Sequence, residues 1–262
     1  MVHRHSRLTA ACPATPPSAT PTARTVTPAH AVHGGACPAA NDTPAERFLR
    51  FVADQAFPCV GAKAALARDA IEVHAFAALG GRDNDAPLLD ALTRFGASFD
   101  LAGEDDTTVR SLVAVFDGPD DTSELRFEAL LWAQLRRLHT LDVGRGHPWA
   151  TDVSADPRDP GFSFSLGGHP FFVIGLHPGA SRRARRFELP AMVFNSHRQF
   201  DALRADGRYA KMQAATRERD MALQGSTNPN LADFGTASEA RQYSGRAVDA
   251  DWTCPFHVLE GR

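Results

Sequence analysis

Hydrophobic positions along the chain group into short periodic runs. The first begins at Thr43-Pro44-Ala45-Glu46. Thr43 suits an N-cap, Pro44 the first helical position, and Glu46 the far side of a capping box. Phe48, Leu49, Val52 and Phe57 follow at helical spacing, and the run stops at Pro58. A second short helix is predicted over Cys59 to Arg68. Ile71 to Phe76 alternates and reads as a strand, Pro87 to Phe95 as a helix, and Val109 to Phe116 as a strand.

The clearest helix is predicted from Asp121-Thr122-Ser123-Glu124 to about Leu141, with Asp121 as N-cap and Glu124 at the third position. At 100° per residue, Phe127, Leu130, Leu131, Leu135, Leu138 and Leu141 share one face. Glu128 falls at the edge of that arc, where a carboxylate is costly to bury unless paired. Two readings follow: an internal salt bridge with one of the many arginines, or a carboxylate that grips a cationic substrate.

Beyond it, Phe162 to Leu166 alternates as a strand. Gly167-Gly168 forms a hairpin-type turn, and Pro170 to Leu176 continues as an apolar strand. Leu189 to Phe194 reads as another strand. Ser196 to Leu203 and Tyr209 to Leu223 read as helices. From Gly225 onward the chain is polar and glycine-rich, yet it ends on Trp252 and Phe256, too aromatic for a disordered tail. The order lacks the regular alternation of a doubly wound fold. It predicts an α+β class: a single mixed domain over residues 41–262, with an antiparallel sheet element and flanking helices. Residues 1–40, rich in Ala, Pro, Thr and His without apolar period, are expected to be a disordered tail.

Composition adds mainly exclusions. With 262 residues, 43% hydrophobic and 23% charged, the chain has enough apolar material for a sizeable core. A net charge of -3 gives no global basic field, so no nucleic-acid partner is expected. No apolar run approaches the ~20 residues that span a bilayer, so no membrane partner is expected either. The basic start is followed by only Leu8 to Ala11 before Pro13, without the apolar run of a secretion signal, and a cytoplasmic address is the expectation. Cys12, Cys37, Cys59 and Cys254 match no zinc spacing.

Candidate chemistry is densest from Gly168 to Arg186. His169 and His177 bracket an apolar strand, eight residues apart. A regular strand points both to one face, roughly 26 Å apart at about 3.3 Å per residue. A neutral imidazole beside aromatic walls suits an iron porphyrin, and the arginines from Arg182 onward suit its propionates. The bland reading makes the histidines core or turn residues and the arginines a solvated surface. Cys59, in Phe57-Pro58-Cys59, is either a buried structural cysteine, the reading favoured for such a residue, or a thiolate ligand or nucleophile. The polar stretch Gly225 to Arg246 has the composition of an ordered loop over a site. Within it Glu239, like Asp220 before it, could hold a guanidinium or amine, or pair with Arg217, Arg219 or Arg241. No dinucleotide fingerprint, P-loop, nucleophile elbow or H-E-x-x-H motif is present.

Taken together, several of these segments resemble the YqcI/YcgG family. They are Phe57-Pro58-Cys59, Gly168 to Pro178, Ser181-Arg182, Phe194-Asn195 with Gln199-Phe200, Arg217 to Asp220, Gly225 to Pro229, Ser238 to Gly245, and Trp252 to Phe256. The likeness covers roughly residues 45 to 257. Some members of that family are haem-dependent N-hydroxylases of arginine or related guanidines in natural-product pathways. The resemblance therefore implies heme b as cofactor and a guanidino or amino small-molecule substrate; because the sequence carries no flavin or iron–sulfur motif, a separate electron donor is a further candidate partner. The resemblance itself does not say which residue ligates the iron. On residue type and position His177 is the first candidate, His169 the second and Cys59 the third. Arg182 is expected at propionates or a substrate carboxylate, and Glu128, Glu239 and Arg241 at the substrate. The competing reading is a non-catalytic protein that binds heme or an anionic small molecule.

Overall fold

The structure, a computed structural model, describes residues 42–101, 106, 108–232 and 235–259. The expected tail of residues 1–40, with Cys12 and Cys37, lies outside them.

Helices α1 (Pro44–Ala53) and α2 (Val60–Leu66) come first, then β1 (Ile71–Phe76), α3 (Asp85–Leu101), β2 (Ser111–Phe116) and α4 (Glu124–Gly144). Strands β3 (Phe164–Leu166), β4 (His169–Leu176) and β5 (Ala191–Ser196) follow, then α5 (His197–Ala205), α6 (Arg208–Gln224) and α7 (Ala240–Tyr243). The capping box of α1 forms as the sequence predicts: Thr43 Oγ1 accepts from the Glu46 amide, and Glu46 accepts from the Thr43 amide. The five strands make one sheet in the order β1-β2-β5-β4-β3. The α+β class is therefore correct, and the sheet is mixed. β1 and β2 are parallel, linked through α3, because parallel neighbours need a long crossover. The other pairs are antiparallel. Gly167 and Gly168, with φ of 60° and 71°, make the β3–β4 turn, a conformation that a β-carbon would strain.

Three local expectations need correction. The N-cap of α4 is Ser123, whose hydroxyl accepts from the Arg126 amide, and not Asp121. Glu124 turns instead to the amide and hydroxyl of Ser181. Leu141 is 37% exposed, while its neighbours Leu138, His139 and Asp142 are buried. The stretch from Gly225 contains α7, whose four residues are too few to show a helical period.

Strand alternation sorts the core into two faces. Leu112, Ala114, Phe116, Phe171, Val173, Met192 and Phe194 pack with α3 and α4 in the larger core. Val113, Val115, Ile174, Leu176, Ala191 and Val193 pack with Phe48 and Val52 of α1 on the other face. All six β2 residues are buried, as expected for a strand covered on both sides. Among the described residues no helix is long and apolar enough to cross a membrane.

Candidate functional site

The second face of the sheet does not pack fully against its helices. A cavity of about 300 Å³ remains there, within an open concavity of about 1730 Å³ that includes solvent-side space. Its floor is Val113, Phe172, Ile174 and Val193. Phe48 and Val52 of α1, the start of α2, α5, α6 and residues 228–242 complete it. The enclosed part alone is at the lower end of the ~300–1,000 Å³ usual for small-molecule sites.

Polar groups enter this apolar chamber from few directions. Cys59 is the N-cap of α2, and its Sγ accepts from the Ala62 amide at 3.4 Å. Burial pushes the thiol pKa up; that amide, the Gly61 amide, Arg185 and Arg219 oppose the shift. Arg182 is 7% exposed and already neutralised: it pairs with Asp220 and donates to Ser226 Oγ at 3.1 Å. Asp220 thus pairs across the fold, not with the arginines of its own helix. Arg185 enters beside it from the turn after β4 and donates to the carbonyls of Gly175 at 3.1 Å and Gln242 at 3.2 Å.

The cavity is also lined by a polar cluster that the sequence alone does not assemble. Tyr243 Oη, fully buried, donates to Glu239 Oε1 at 2.6 Å and accepts from the Phe164 amide at 3.1 Å. The second oxygen of Glu239 is 3.5 Å from His197 Nδ1, and Asp201 Oδ2 is 3.8 Å from Nε2. Glu239 and His197 both line the cavity and are 4% and 2% exposed. His197, the first residue of α5, follows β5 directly, so the strand fixes its position. Spacing could not find it, because His197 and Glu239 are 42 residues apart. The only signal was a polar Asn-Ser-His run closing an apolar strand.

The remaining candidates lie elsewhere. His169 and His177 do point to one side of β4, but it is the side of Phe171 and Val173, against α3 and α4. His169 stacks on Phe99 and shares a hydrogen bond of 2.8 Å between Nε2 and Ser196 Oγ. Arg198 approaches Nδ1 at 3.5 Å, so Nδ1 is the acceptor and Nε2–H donates to Ser196. That tautomer cannot take a proton from the serine, so the pair is not a nucleophile and its base. Burial, then Arg198, lowers the His169 pKa to about 4. His177 stacks on Phe127, ring centroids 4.4 Å apart, and burial lowers its pKa too. Glu128 forms the internal salt bridge: Arg246 Nε and Nη2 donate to Oε2 at 2.8 and 2.6 Å, and Ser244 lies at 3.3 Å from Oε1. Arg241 donates to the carbonyls of Val248, Asp249 and Trp252 and lies over the Trp252 ring. Of the sequence candidates, Cys59, Arg182 and Glu239 therefore share the cavity, while His169, His177, Glu128 and Arg241 do not line it.

A haem asks for one axial donor, apolar walls for the macrocycle and cations for its propionates. The lining offers residues of each type: the Cys59 thiol and His197 imidazole, the phenylalanine and aliphatic walls, and Arg185 as the unpaired cation, Arg182 being already paired with Asp220. The residue types fit, with Cys59 having to lose a proton that burial makes harder to remove. Among the described residues no group of three or more His, Cys, Asp or Glu could hold a bare metal ion.

Comparison with known proteins places the chain among relatives. Residues 48–257 match the YqcI/YcgG family. The uncharacterized protein YcgG of Bacillus subtilis (strain 168) is 28% identical over 214 residues, covering 78% of this chain and 82% of the relative. The uncharacterized protein YqcI of the same organism is 24% identical over the same shares. No solved structure matches significantly.

Proposed function

Because this chain belongs to the YqcI/YcgG family, we propose that it is a haem-dependent N-hydroxylase acting on arginine or a related guanidino or amino compound. The observation that carries the reading is the convergence of Cys59, Arg182 and Glu239 on one apolar-walled cavity. These three come from distant parts of the sequence, and each has side-chain chemistry suited to a site.

Cys59 would hold the iron, and Arg185 would meet the anionic edge of the macrocycle, with Arg182 beside it held by Asp220. His169 and His177 stand behind the sheet, so Cys59, which lines the cavity, would be the residue that holds the iron. Bound haem supplies the activation of dioxygen. One oxygen atom enters an N–H bond of the substrate and the other leaves as water. Two electrons and two protons come from an external reductant, the expected role of a separate electron-donor protein.

The chain's own contribution is orientation, proton handling and exclusion of water. Glu239, held by Tyr243, presents its second oxygen towards the cavity side of His197. A carboxylate in that position accepts charge-assisted hydrogen bonds from a guanidinium or amine. His197, flanked by Glu239 and Asp201, is placed to pass a proton between the chamber and those carboxylates. The test is direct: incubate the haem-loaded protein with arginine, a reductant and oxygen, and analyse the products by mass spectrometry. Formation of hydroxyarginine, lost in Glu239→Gln, is expected. A haem-loaded protein that hydroxylates neither arginine nor any simple guanidine or amine overturns the catalytic reading.

A further inference from the structure

The arginines of the described residues are mostly matched. Arg182 pairs with Asp220, Arg246 with Glu128, Arg137 with Asp85 and Arg198 with Asp152. Arg185 is the exception that matters, because it lines the cavity. Both of its described hydrogen bonds go to neutral main-chain carbonyls, those of Gly175 and Gln242. Among the described residues no carboxylate lies within ion-pair distance of it. Asp220, whose charge it feels, is committed to Arg182.

The fold nevertheless builds this position with care. The turn Arg183–Arg185 aims the side chain inward, while Arg183 and Arg186 on either side are exposed. Gly245, at φ 83°, lies against the arginine stem, and a β-carbon there would come within 3.3 Å of Arg185 Cγ. Burial lowers the guanidinium pKa to about 10, which still leaves it charged at neutral pH. The Arg185 side chain is half-buried, and a charge even partly removed from water without a counter-ion is costly. Two neutral carbonyls leave guanidinium donors over, and those donors form a fork that matches a carboxylate.

We propose that Arg185 is the anion anchor of the cavity, and that the natural ligand combines a largely apolar body with a carboxylate that completes the Arg185 ion pair. The carboxylate belongs either to the substrate or to a haem propionate; the chemistry at Arg185 is the same. The assignment differs from the sequence expectation, which put Arg182 in this role. It rests on the cavity and does not require the haem reading to hold.

Two probe pairs test it on the full chain: octanoate against octanamide by calorimetry, and hemin against its dimethyl ester by absorbance titration. Each acid is expected to bind about tenfold or more tightly than its neutral partner if its carboxylate meets Arg185, since a charge-assisted hydrogen bond contributes about 1.5–3 kcal/mol. Arg185→Gln and Arg185→Met should abolish that preference, Arg185→Lys should keep most of it, and exposed Arg183→Gln should leave it intact. A preference shown by octanoate alone assigns the anion to the substrate, and one shown by hemin alone assigns it to a propionate. Failure of hemin and its ester to bind, with the octanoate result intact, removes the haem reading and leaves this inference standing. No preference for either acid in wild type overturns the inference, even if the variants fail to fold. A preference that survives in folded Arg185→Gln and Arg185→Met also overturns it.

Discussion

Tyr243 donates a hydrogen bond of 2.6 Å to Glu239, one helical turn before it, and this contact directs the other carboxylate oxygen to His197. The tyrosine comes from the core, where it stacks on Trp132, and the glutamate faces the cavity. A core packing residue thus sets the geometry of a cavity carboxylate. Burial, then the Glu239 charge and hydrogen bond, raise the Tyr243 pKa well above its ordinary value, so the hydroxyl remains a donor throughout the neutral range. Tyr243→Phe leaves a buried Glu239 oxygen without its donor and the Phe164 amide without its acceptor. The expected loss is about 1–3 kcal/mol in urea unfolding. A change below about 0.5 kcal/mol would show that the contact orders little.

Acid sensitivity should follow His169. Its folded pKa of about 4 is below the ordinary 6.5, so as pH falls the unfolded chain takes up the proton first. The stabilisation is complete above about pH 6.5 and declines as pH falls towards 4, by up to about 3 kcal/mol. His177 and His139 are shifted in the same direction by burial and add to the slope. His169→Gln keeps an N–H for Ser196 and does not titrate. Denaturant midpoints measured from pH 7 to pH 4 should fall less steeply in this variant than in wild type. Parallel curves would exclude His169 as a source of the slope.

The Glu128–Arg246 pair is structural, and its energetics should show it. Arg246→Ala strands a carboxylate that is 8% exposed and should cost about 3 kcal/mol. Replacing both residues with leucine should recover much of that loss, because neither charge is then left unpaired. A double-mutant cycle by thermal unfolding measures this. Equal losses in the single and double variants would contradict it.

Much of this fold was legible in the sequence. The α1 capping box, the strands from Ile71 and Val109, and the Gly167-Gly168 turn are local events, controlled by neighbouring residues. The site was only partly legible. Period-two alternation correctly put His169 and His177 on one side of β4, but no sequence pattern says which side carries the cavity, because both faces of the sheet are covered. The residue type of Glu128 announced a partner, and the structure supplied Arg246 from 118 residues away. The Tyr243–Glu239 hydrogen bond and the approach of Glu239 to His197 bring α7 to the end of β5, a contact that no spacing rule reaches. Arg182 and Arg185 look alike in the sequence, and only the position of Asp220 makes one neutralised and the other available.

On the proposed reading, the chamber between the sheet and α1, α2 and α6 would hold haem with Cys59 as the iron ligand. The most direct measurement is the Soret spectrum of the full chain titrated with hemin, for wild type, Cys59→Ala, His169→Gln and His177→Ala. The expected result is a saturable Soret band in wild type that is shifted or lost in Cys59→Ala and unchanged in the two histidine variants. A folded wild-type protein with no Soret band, or a band that follows His177 or His169 and ignores Cys59, would contradict the account.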